Sequence, residues 1–388
     1  MTSTPSSTIA RKVLAAMSGG VDSAVAAALV AEEGNDVTGV TLKLWCYGTG
    51  PASPRACCTL DAIDDARRVA QRMGFPYFVV DAEEVFRERV LQPFLDAYAS
   101  GRTPYPCALC NQHLKFGDLV RRMELLGADT LVTGHYARVE RDAGGHPVLL
   151  RARDRSKDQS YALAFVPYAA LGRARFPLGS LAKEEVRDHA LRLGLSVWDK
   201  PESQDLCFVP DGDYAGFMVD KLGERRGTDP GPIVDVEGRT RGVHRGLIHY
   251  TIGQRRGLGL SDSERLFVVA VEPGANRIVV GPRDALDSPG LLTEPMNWLV
   301  PVPPGASCRV MVQIRSHHTP APATLDPAPD GRVEIRFDQP QSAVTPGQSC
   351  VIYDGEQVVG GAPIAHALGH ERHEPEAAAA AGATRHAG

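Results

Sequence analysis

The stretch KVLAAMSGGVDSAVAAALVAEEG, residues 12–34, decides the fold. Residues 12–17 are apolar from Val13 onward, the pattern of a strand buried on both faces. A polar turn, Ser18-Gly19-Gly20-Val21-Asp22-Ser23, follows at once. The spacing then predicts an Ala-rich helix from Ala24 to Glu33, stopped by Gly34. Working outward, strands are expected at 36–45, 76–80 and 129–133, and helices at 60–73, 83–99 and roughly 111–126. Ala62, Ala66, Val69, Ala70 and Met73 share one face of the helix at 60–73. Strands alternating with helices imply an α/β domain, a parallel sheet with helices on both faces.

The pattern changes near residue 136. Residues 136–142 and 147–153, joined by Gly144-Gly145, read as a hairpin. A helix is expected at 181–193, and past Cys207 the helical signal fades. Residues 226–282 are Gly-rich with short β-prone runs. Residues 290–364 look like short strands between Pro/Gly turns, a small barrel or sandwich. The expected organisation is a flexible leader at 1–10, an α/β catalytic domain at 11–208, a small central domain at 209–282, a C-terminal β-barrel at 283–366 and a disordered tail at 367–388.

A chain of 388 residues is too long for one ordinary core. Hydrophobic content of 43% with 23% charged residues fits a globular protein in water. No stretch approaches the ~20 consecutive apolar residues of a membrane span. Met1 to Ala10 are Ser/Thr-rich and lack the apolar centre of a signal peptide. The eight cysteines are therefore expected as thiols in a reducing, cytoplasmic setting. Cys308 and Cys350, in strand-like runs, are expected as buried small hydrophobes. The net charge of −5 gives no global hint of a nucleic-acid partner. It is uneven, however: residues 238–260 hold Arg239, Arg241, Arg245, Arg255 and Arg256 and no acid, a local RNA-backbone footprint.

The turn at 18–23 has the makings of a phosphate loop. Glycines let backbone N–H groups approach phosphate oxygens, and the following helix N-terminus favours anions. Ser18 and Ser23 can donate hydroxyls, while Asp22 would be repelled by bare phosphate and so suits Mg2+. The loop lacks the Gly-Lys-Ser/Thr ending of a Walker loop. It resembles the SGGxDS signature of PP-loop ATP pyrophosphatases, which cleave ATP between the α and β phosphates and adenylate a substrate oxygen. The alternative is an ordinary strand–turn–helix corner.

Further motifs choose the branch. GRTPYPCALCNQHLKF (101–116), TGHYAR (133–138), KDQSYAL (157–163), KPESQDLCF (200–208), GLIHYTIGQRRGLG (246–259) and PGQSCVIYDGEQVVGG (346–361) stand in order. Together they resemble the bacterial tRNA-specific 2-thiouridylase family from about residue 11 to 365. The resemblance implies an N-terminal PP-loop domain, a small central domain and a C-terminal β-barrel. It also implies sulfur transfer to C2 of the wobble uridine in tRNAs for Lys, Glu and Gln.

Replacing a carbonyl oxygen by sulfur needs a leaving group and a sulfur nucleophile. ATP supplies the first by adenylating the oxygen, and a cysteine persulfide supplies the second. A further thiol must then break the remaining sulfur bond. Cys110 and Cys207 suit this, each beside a Pro-rich polar loop at the end of the α/β region. By resemblance Cys207 carries the persulfide and Cys110 is the partner thiol. A helix beginning after Cys110 would lower its pKa through the N-terminal dipole. A zinc half-site with Cys107 is the alternative, but no second CxxC exists to complete it.

By resemblance the ATP site takes Ala16, Met17, Ser18, Gly19, Gly20, Val21, Asp22, Ser23, Leu42 and Gly134. Leu42 would wall the adenine, with plain core as the alternative, and Gly134 would let the ligand near the backbone. The resemblance assigns the target base and tRNA to Tyr105, Pro106, Cys107, His135, Lys157, Asp158, Gln159, Arg315, Ser316 and Gln348. For His135 the alternative is a satisfied structural histidine. The chain departs from the family pattern at Tyr105, where Asn is usual, at Cys107, often Asp, and at Ser316, where an aromatic is usual. His317 and His318 are the nearest substitutes for that lost stacking surface.

Three cysteines, Cys107, Cys110 and Cys207, could also hold a 4Fe-4S cluster with one iron open to sulfide. Cys57-Cys58 is given a structural or accessory sulfur role. The expected partners are tRNA and a cysteine desulfurase or sulfur-relay protein, with no membrane and a monomeric state. The competing readings are a PP-loop synthetase acting on a small molecule and an RNA-binding protein with a decayed nucleotide loop.

Overall fold

Strand β1 (Lys12–Ala16) lies at the centre of the first sheet, where Val13, Leu14 and Ala15 are covered on both faces. The structure is a computed structural model and describes residues 10–44, 59–201, 206–209, 214–222, 227–260, 265–300 and 306–369. The expected leader and tail, apart from Ala10 and residues 367–369, and Cys46, Cys57 and Cys58 lie outside those residues.

Helix α1 (Val21–Glu32) follows β1 after a four-residue loop, three residues earlier than expected. Asp22 and Ser23 are polar but stand in its first turn, where side chains that accept or donate near free amides are favoured. Seven apolar residues of α1 are buried, four of them alanines, so the helix packs closely on the sheet. Strand β2 (Asp36–Lys43) pairs with β1 in parallel. Helix α2 (Leu60–Met73) starts at the side chain of Thr59, which accepts from the Ala62 amide at 3.1 Å, and ends at Gly74 with φ 78°. Ala62, Ile63, Ala66, Val69 and Ala70 form its buried face. Strand β3 (Tyr77–Asp81) follows.

A helix in three stretches comes next, Glu83–Phe86, Arg87–Leu91 in π geometry and Gln92–Ala99. A second runs through Pro106–Cys110, Asn111–Asp118 in π geometry and Leu119–Leu125. It begins earlier than expected because Pro106 opens it, and proline is preorganised for a first helical position. Strands β4 (Thr130–Val132) and β7 (Ala174–Arg175) complete a parallel sheet of order β3-β2-β1-β4-β7. The connection after β1 leads to one side and β4 arrives on the other. The loop at 17–20 therefore sits at a topological switch point, where open α/β sheets bind ligands.

The hairpin β5 (Ala137–Arg141) and β6 (Pro147–Arg151) forms as expected. It does not stand alone, since β6 continues onto a strand of the C-terminal region. Helix Lys183–Arg192 follows. Helix Tyr214–Leu222 was not expected, and its Phe217 and Met218 are buried. The central region is a sheet of β8 (Gly231–Asp235), β9 (Thr240–His244), β10 (Phe267–Glu272) and β11 (Arg277–Gly281), ordered β10-β11-β8-β9.

The C-terminal region uses β12 (Asp287–Thr293), β13 (Asn297–Trp298), β14 (Cys308–Gln313), β15 (Ala321–Pro327), β16 (Val333–Ser342), β17 (Ser349–Asp354) and β18 (Gln357–Ala367). The order β12-β16-β15-β14-β17-β18 closes through β12–β18 into a six-stranded antiparallel barrel. Closure pairs every edge and settles the choice between barrel and sandwich. Cys350 is buried inside it as expected, whereas Cys308 is exposed and corrects that expectation.

One apolar cluster runs across the boundary, joining Leu149, Leu163 and Phe176 to Val351, Tyr353 and Val358 of the barrel. Tyr161 donates to Ser349 O at 2.8 Å, and Asn297 donates to Ala164 O and Val166 O. The barrel is thereby fixed against the first domain. Among the described residues no helix is long and apolar enough to cross a membrane.

Candidate active site

The loop after β1 is held from both sides. Ser23 Oγ accepts from the Ser18 amide at 3.0 Å, lies 3.1 Å from Ser18 Oγ and donates to Gly20 O. Gly19 has φ 72°, and a Cβ there would lie 2.1 Å from Ala62 O, so the loop is pressed onto α2. Gly20 caps α1 without any side-chain bond, which leaves the first amides of the helix available. A Cβ at Gly134 would lie 2.6 Å from the Ser23 amide nitrogen. The bareness of Gly134 is thus used by the helix itself, which rests on the turn after β4. Met17 is buried, and its carbonyl accepts from Thr41 Oγ1 at 2.7 Å.

Two lysines reach this loop from distant segments, and the sequence reading missed their roles. Lys183 Nζ lies 2.7 Å from Asp22 Oδ1, and the Tyr136 hydroxyl donates to the same oxygen at 2.8 Å. Lys200 Nζ donates to Gly19 O at 3.0 Å and to Asp65 Oδ2 at 2.7 Å. Burial works to raise the Asp65 carboxyl, but the bonds from Lys200 and Arg68 outweigh it and hold it below its usual range. Lys183 opens its helix, where a cation opposes the macrodipole. Asp22 keeps about a third of its side chain open (32%). It fits Mg2+, which takes one or two carboxylates together with substrate phosphates and supplies charge neutralisation there.

Cys110 and Cys207 are both half-buried, and both border one apolar cluster that includes Phe86, Phe94, Leu114 and Phe208. Leu42, at the C-terminal end of β2, borders the same cluster. Phe208, next to Cys207, stacks edge-on against Phe86 and Phe94 at 5.5 and 5.3 Å, which anchors the end of that loop. Cys110 does not precede its helix. The helix starts at Pro106, so the dipole expected at Cys110 is lost. Burial instead pushes the Cys110 thiol up, with Lys115 opposing. Cys107 is exposed on the first turn.

The Cys-bearing loop touches the barrel. The Thr103 amide donates to Pro346 O at 2.9 Å, and a Cβ at Gly347 would meet Thr103 N at 2.9 Å. Arg102 pairs with Glu294 at 3.0 Å and donates to Ile364 O. Tyr105 is half-buried with its ring 5.3 Å from Tyr161; burial pushes its phenol up, Cys107 adds to the rise, and a hydrogen bond to the Ser316 side chain works against it. Tyr105 and Ser316 are thereby brought together beside the cysteine loop.

Family models match three consecutive parts of the chain: a tRNA methyl transferase HUP domain over residues 11–211, a tRNA methyl transferase PRC-barrel domain over 219–282 and an aminomethyltransferase beta-barrel domain over 288–364. A tRNA-specific 2-thiouridylase MnmA of Magnetococcus marinus is 47% identical over 352 residues, 90% of this chain and 98% of that one. One of Geotalea uraniireducens is 46% identical over 92% of this chain and 96% of its own, and one of Hyphomonas neptunium is 48% identical over 92% and 91%. The chain belongs to the tRNA-specific 2-thiouridylase MnmA family.

Several residues that the MnmA resemblance assigns to tRNA face inward. His135 is 9% exposed; its Nδ1 is 2.7 Å from Thr133 Oγ1 and its Nε2 is 3.4 Å from Lys115 Nζ. Burial, with Lys115 beside it, holds its pKa well below the ordinary value. Its ring packs against Phe116 and Phe176. Asp158 accepts from Arg151 Nε at 2.6 Å and from the Ala152 and Ser160 amides, a strut inside the fold. Gln159 receives the Tyr136 amide at 3.0 Å yet remains exposed, and Lys157 is half-exposed. Arg315 and His317 are exposed, whereas His318 is half-buried against Gln341 and so is a poor substitute surface.

The basic stretch is less basic than its count. Arg239 pairs with Asp235 and Glu237, and Arg241 also reaches Asp235, both acids lying just before the acid-free window. Arg245, Arg255 and Arg256 are exposed and make no ion pair among the described residues. No group of three or more His, Cys, Asp or Glu among the described residues is placed to hold a metal ion. Cys107, Cys110 and Cys207 are not gathered into such a group among the described residues.

Proposed function

We propose that this protein carries out ATP-dependent 2-thiolation of the wobble uridine in tRNAs for Lys, Glu and Gln. The observation that carries the reading is the shared setting of Cys110 and Cys207, on one apolar cluster that also meets Leu42 beside the phosphate loop. In the proposed sequence uridine O2 attacks the α-phosphorus of ATP, and pyrophosphate leaves with the bond's electron pair. The terminal sulfur of a Cys207 persulfide then attacks C2, and AMP departs carrying the former O2. Cys110 attacks Cys207 Sγ, the S–S bond breaks, and 2-thiouridine is released with a Cys110–Cys207 disulfide. An external dithiol must supply two electrons to restore both thiols, and a cysteine desulfurase or sulfur-relay protein must recharge Cys207.

Loop residues Ala16 to Ser23, with Leu42 and Gly134, serve ATP in this reading. Tyr105, Pro106, Cys107, Lys157, Gln159, Arg315, Ser316 and Gln348 serve the tRNA side. ATP and tRNA both belong to the cytoplasm, which this reading makes the site of action. The test is incubation with ATP, Mg2+, a sulfur donor and tRNA-Lys lacking 2-thiouridine, followed by digestion and mass measurement of nucleosides. Thiouridine formation is expected. Its absence, with ATP–pyrophosphate exchange driven by a small acid, would instead favour a small-molecule synthetase.

A further inference from the structure

The phosphate loop carries no cation of its own. Between Ser18 and Ser23 the one ionisable side chain is Asp22, an acid. ATP and departing pyrophosphate are strongly anionic, so side-chain cations brought to the loop by the fold add to the charge that Mg2+ would supply. Lys183 is brought there. Its residue is 6% exposed and its ammonium rests on Asp22 Oδ1. The Tyr136 hydroxyl shares that oxygen, and the ammonium also lies 5.6 Å from the centre of the Tyr136 ring. Asp154 Oδ2 accepts from the Lys183 amide at 3.3 Å and fixes the start of its helix.

This placement is costly for structure alone. Lysine is seldom buried, a buried pair gives little net stability, and a cation at a helix N-terminus opposes the dipole. A charge kept at such cost beside an anion-binding loop is a charge held ready for a ligand. We infer that Lys183, the cation seated on Asp22, neutralises charge growing on the pyrophosphate leaving group. The inference rests on the adenylating function proposed above.

In that step O2 bonds to the α-phosphorus, the bond to the bridging oxygen breaks, and its electron pair leaves with pyrophosphate. Lys183 keeps its protons and contributes charge alone. Asp22 and Tyr136 are positioning residues that hold the ammonium at the loop before ATP arrives. The ligand class is a pyrophosphate group, free or as the β,γ-phosphates of ATP.

The test uses full-length Lys183→Met and Lys183→Arg proteins. Pyrophosphate binding is measured by calorimetry, AMP formation in a single turnover with tRNA, and folding by thermal unfolding. Lys183→Met is expected to weaken pyrophosphate binding at least ~10-fold and to slow AMP formation by ~10²–10³-fold, the usual loss of one preorganised electrostatic group. Lys183→Arg should recover most of both. Wild-type pyrophosphate affinity and AMP rate in Lys183→Met overturn the inference. Equal losses in Met and Arg variants that follow a lowered melting temperature also overturn it. Should Lys183→Met not fold, Lys183→Gln keeps a donor toward Asp22 and carries the same expectations. A wild-type protein that forms neither AMP nor thiouridine sinks the tRNA reading, while its pyrophosphate binding still decides the role of Lys183.

Discussion

Replacing Gly134 by alanine tests whether the turn after β4 sets the phosphate loop. A Cβ there would lie 2.6 Å from Ser23 N, 2.7 Å from Asp22 C and 2.9 Å from Ser23 Cα. All three are backbone atoms at the start of α1, so no side chain can swing aside. Ordinary contact needs about 3.4 Å or more, so α1 and the turn must part by somewhat under ~1 Å. Overpacking of this kind costs about 1–3 kcal/mol in stability. A displacement of that order at a reacting site costs about 10²-fold in rate, because Asp22, Ser23 and the first amides of α1 move together. We expect Gly134→Ala to fold with a lowered urea midpoint, to bind ATP weakly and to adenylate tRNA about a hundredfold more slowly. Calorimetry with ATP and single-turnover AMP release give the readout. Gly127→Ala is the control: Gly127 has φ 68° but nothing lies within 4 Å of its Cβ position. It should cost about 1 kcal/mol of backbone strain with ATP binding unchanged. Wild-type ATP affinity in Gly134→Ala would refute the claim that α1 is seated by this contact.

Cys207→Ser should abolish thiolation in a mass assay while ATP binding stays at the wild-type level; residual thiouridine from this variant would contradict the persulfide role. Because burial raises the Cys110 thiol, the rate of the thiol-dependent step should still be rising above pH ~8.5, the ordinary thiol value, and a single-turnover profile flat from there upward would count against Cys110 as the attacking thiolate. His135, held neutral by burial, binds fewer protons folded than unfolded. Stability should therefore fall below pH ~6.5 by up to ~1.4 kcal/mol per pH unit, and His135→Phe should flatten that part of the urea-derived profile. Replacing Arg245, Arg255 and Arg256 together by alanine should weaken tRNA binding and lower the salt slope by about 2–3, whereas Arg239→Ala, already paired with Asp235, should change it little; filter binding across a salt series separates the two.

The alternation of strands and helices was legible because each apolar run is long enough to carry its period. The starts of helices were not. Asp22 and Ser23 read as turn residues, yet a first helical turn accepts polar side chains as readily as a loop does. Pro106 stands in what reads as a Pro-rich loop, although proline is well suited to open a helix, and that reading misplaces the dipole at Cys110. Contacts between distant segments left less trace still. Nothing near Lys183 in the chain announces Asp22, and the charge count over 238–260 stopped just short of Asp235 and Glu237, which pair with Arg239. His135 stands in a motif of the family, but its burial among Phe116, Phe176 and Thr133 is a product of packing that a motif cannot display.

The same long-range contacts bear on how tRNA and chemistry could be linked. The loop at 102–105, which leads into Cys107 and Cys110, is clamped by the barrel at Pro346, Gly347, Glu294 and Ile364. Lys200 donates to Gly19 O of the phosphate loop. Of the two proposed catalytic thiols, Cys110 thus follows a loop held by the barrel, while Lys200, seven residues before Cys207, is bound to the nucleotide loop. An isolated barrel contact would give affinity without affecting the reaction. A barrel contact made through Thr103 bears directly on the segment that holds Cys110, so in the proposed function tRNA bound at the barrel would help place that thiol. Arg102 and Gly347 are where this coupling can be cut. Their substitution should lower the rate of sulfur transfer more than it lowers tRNA affinity, because binding energy used for orientation appears in the rate.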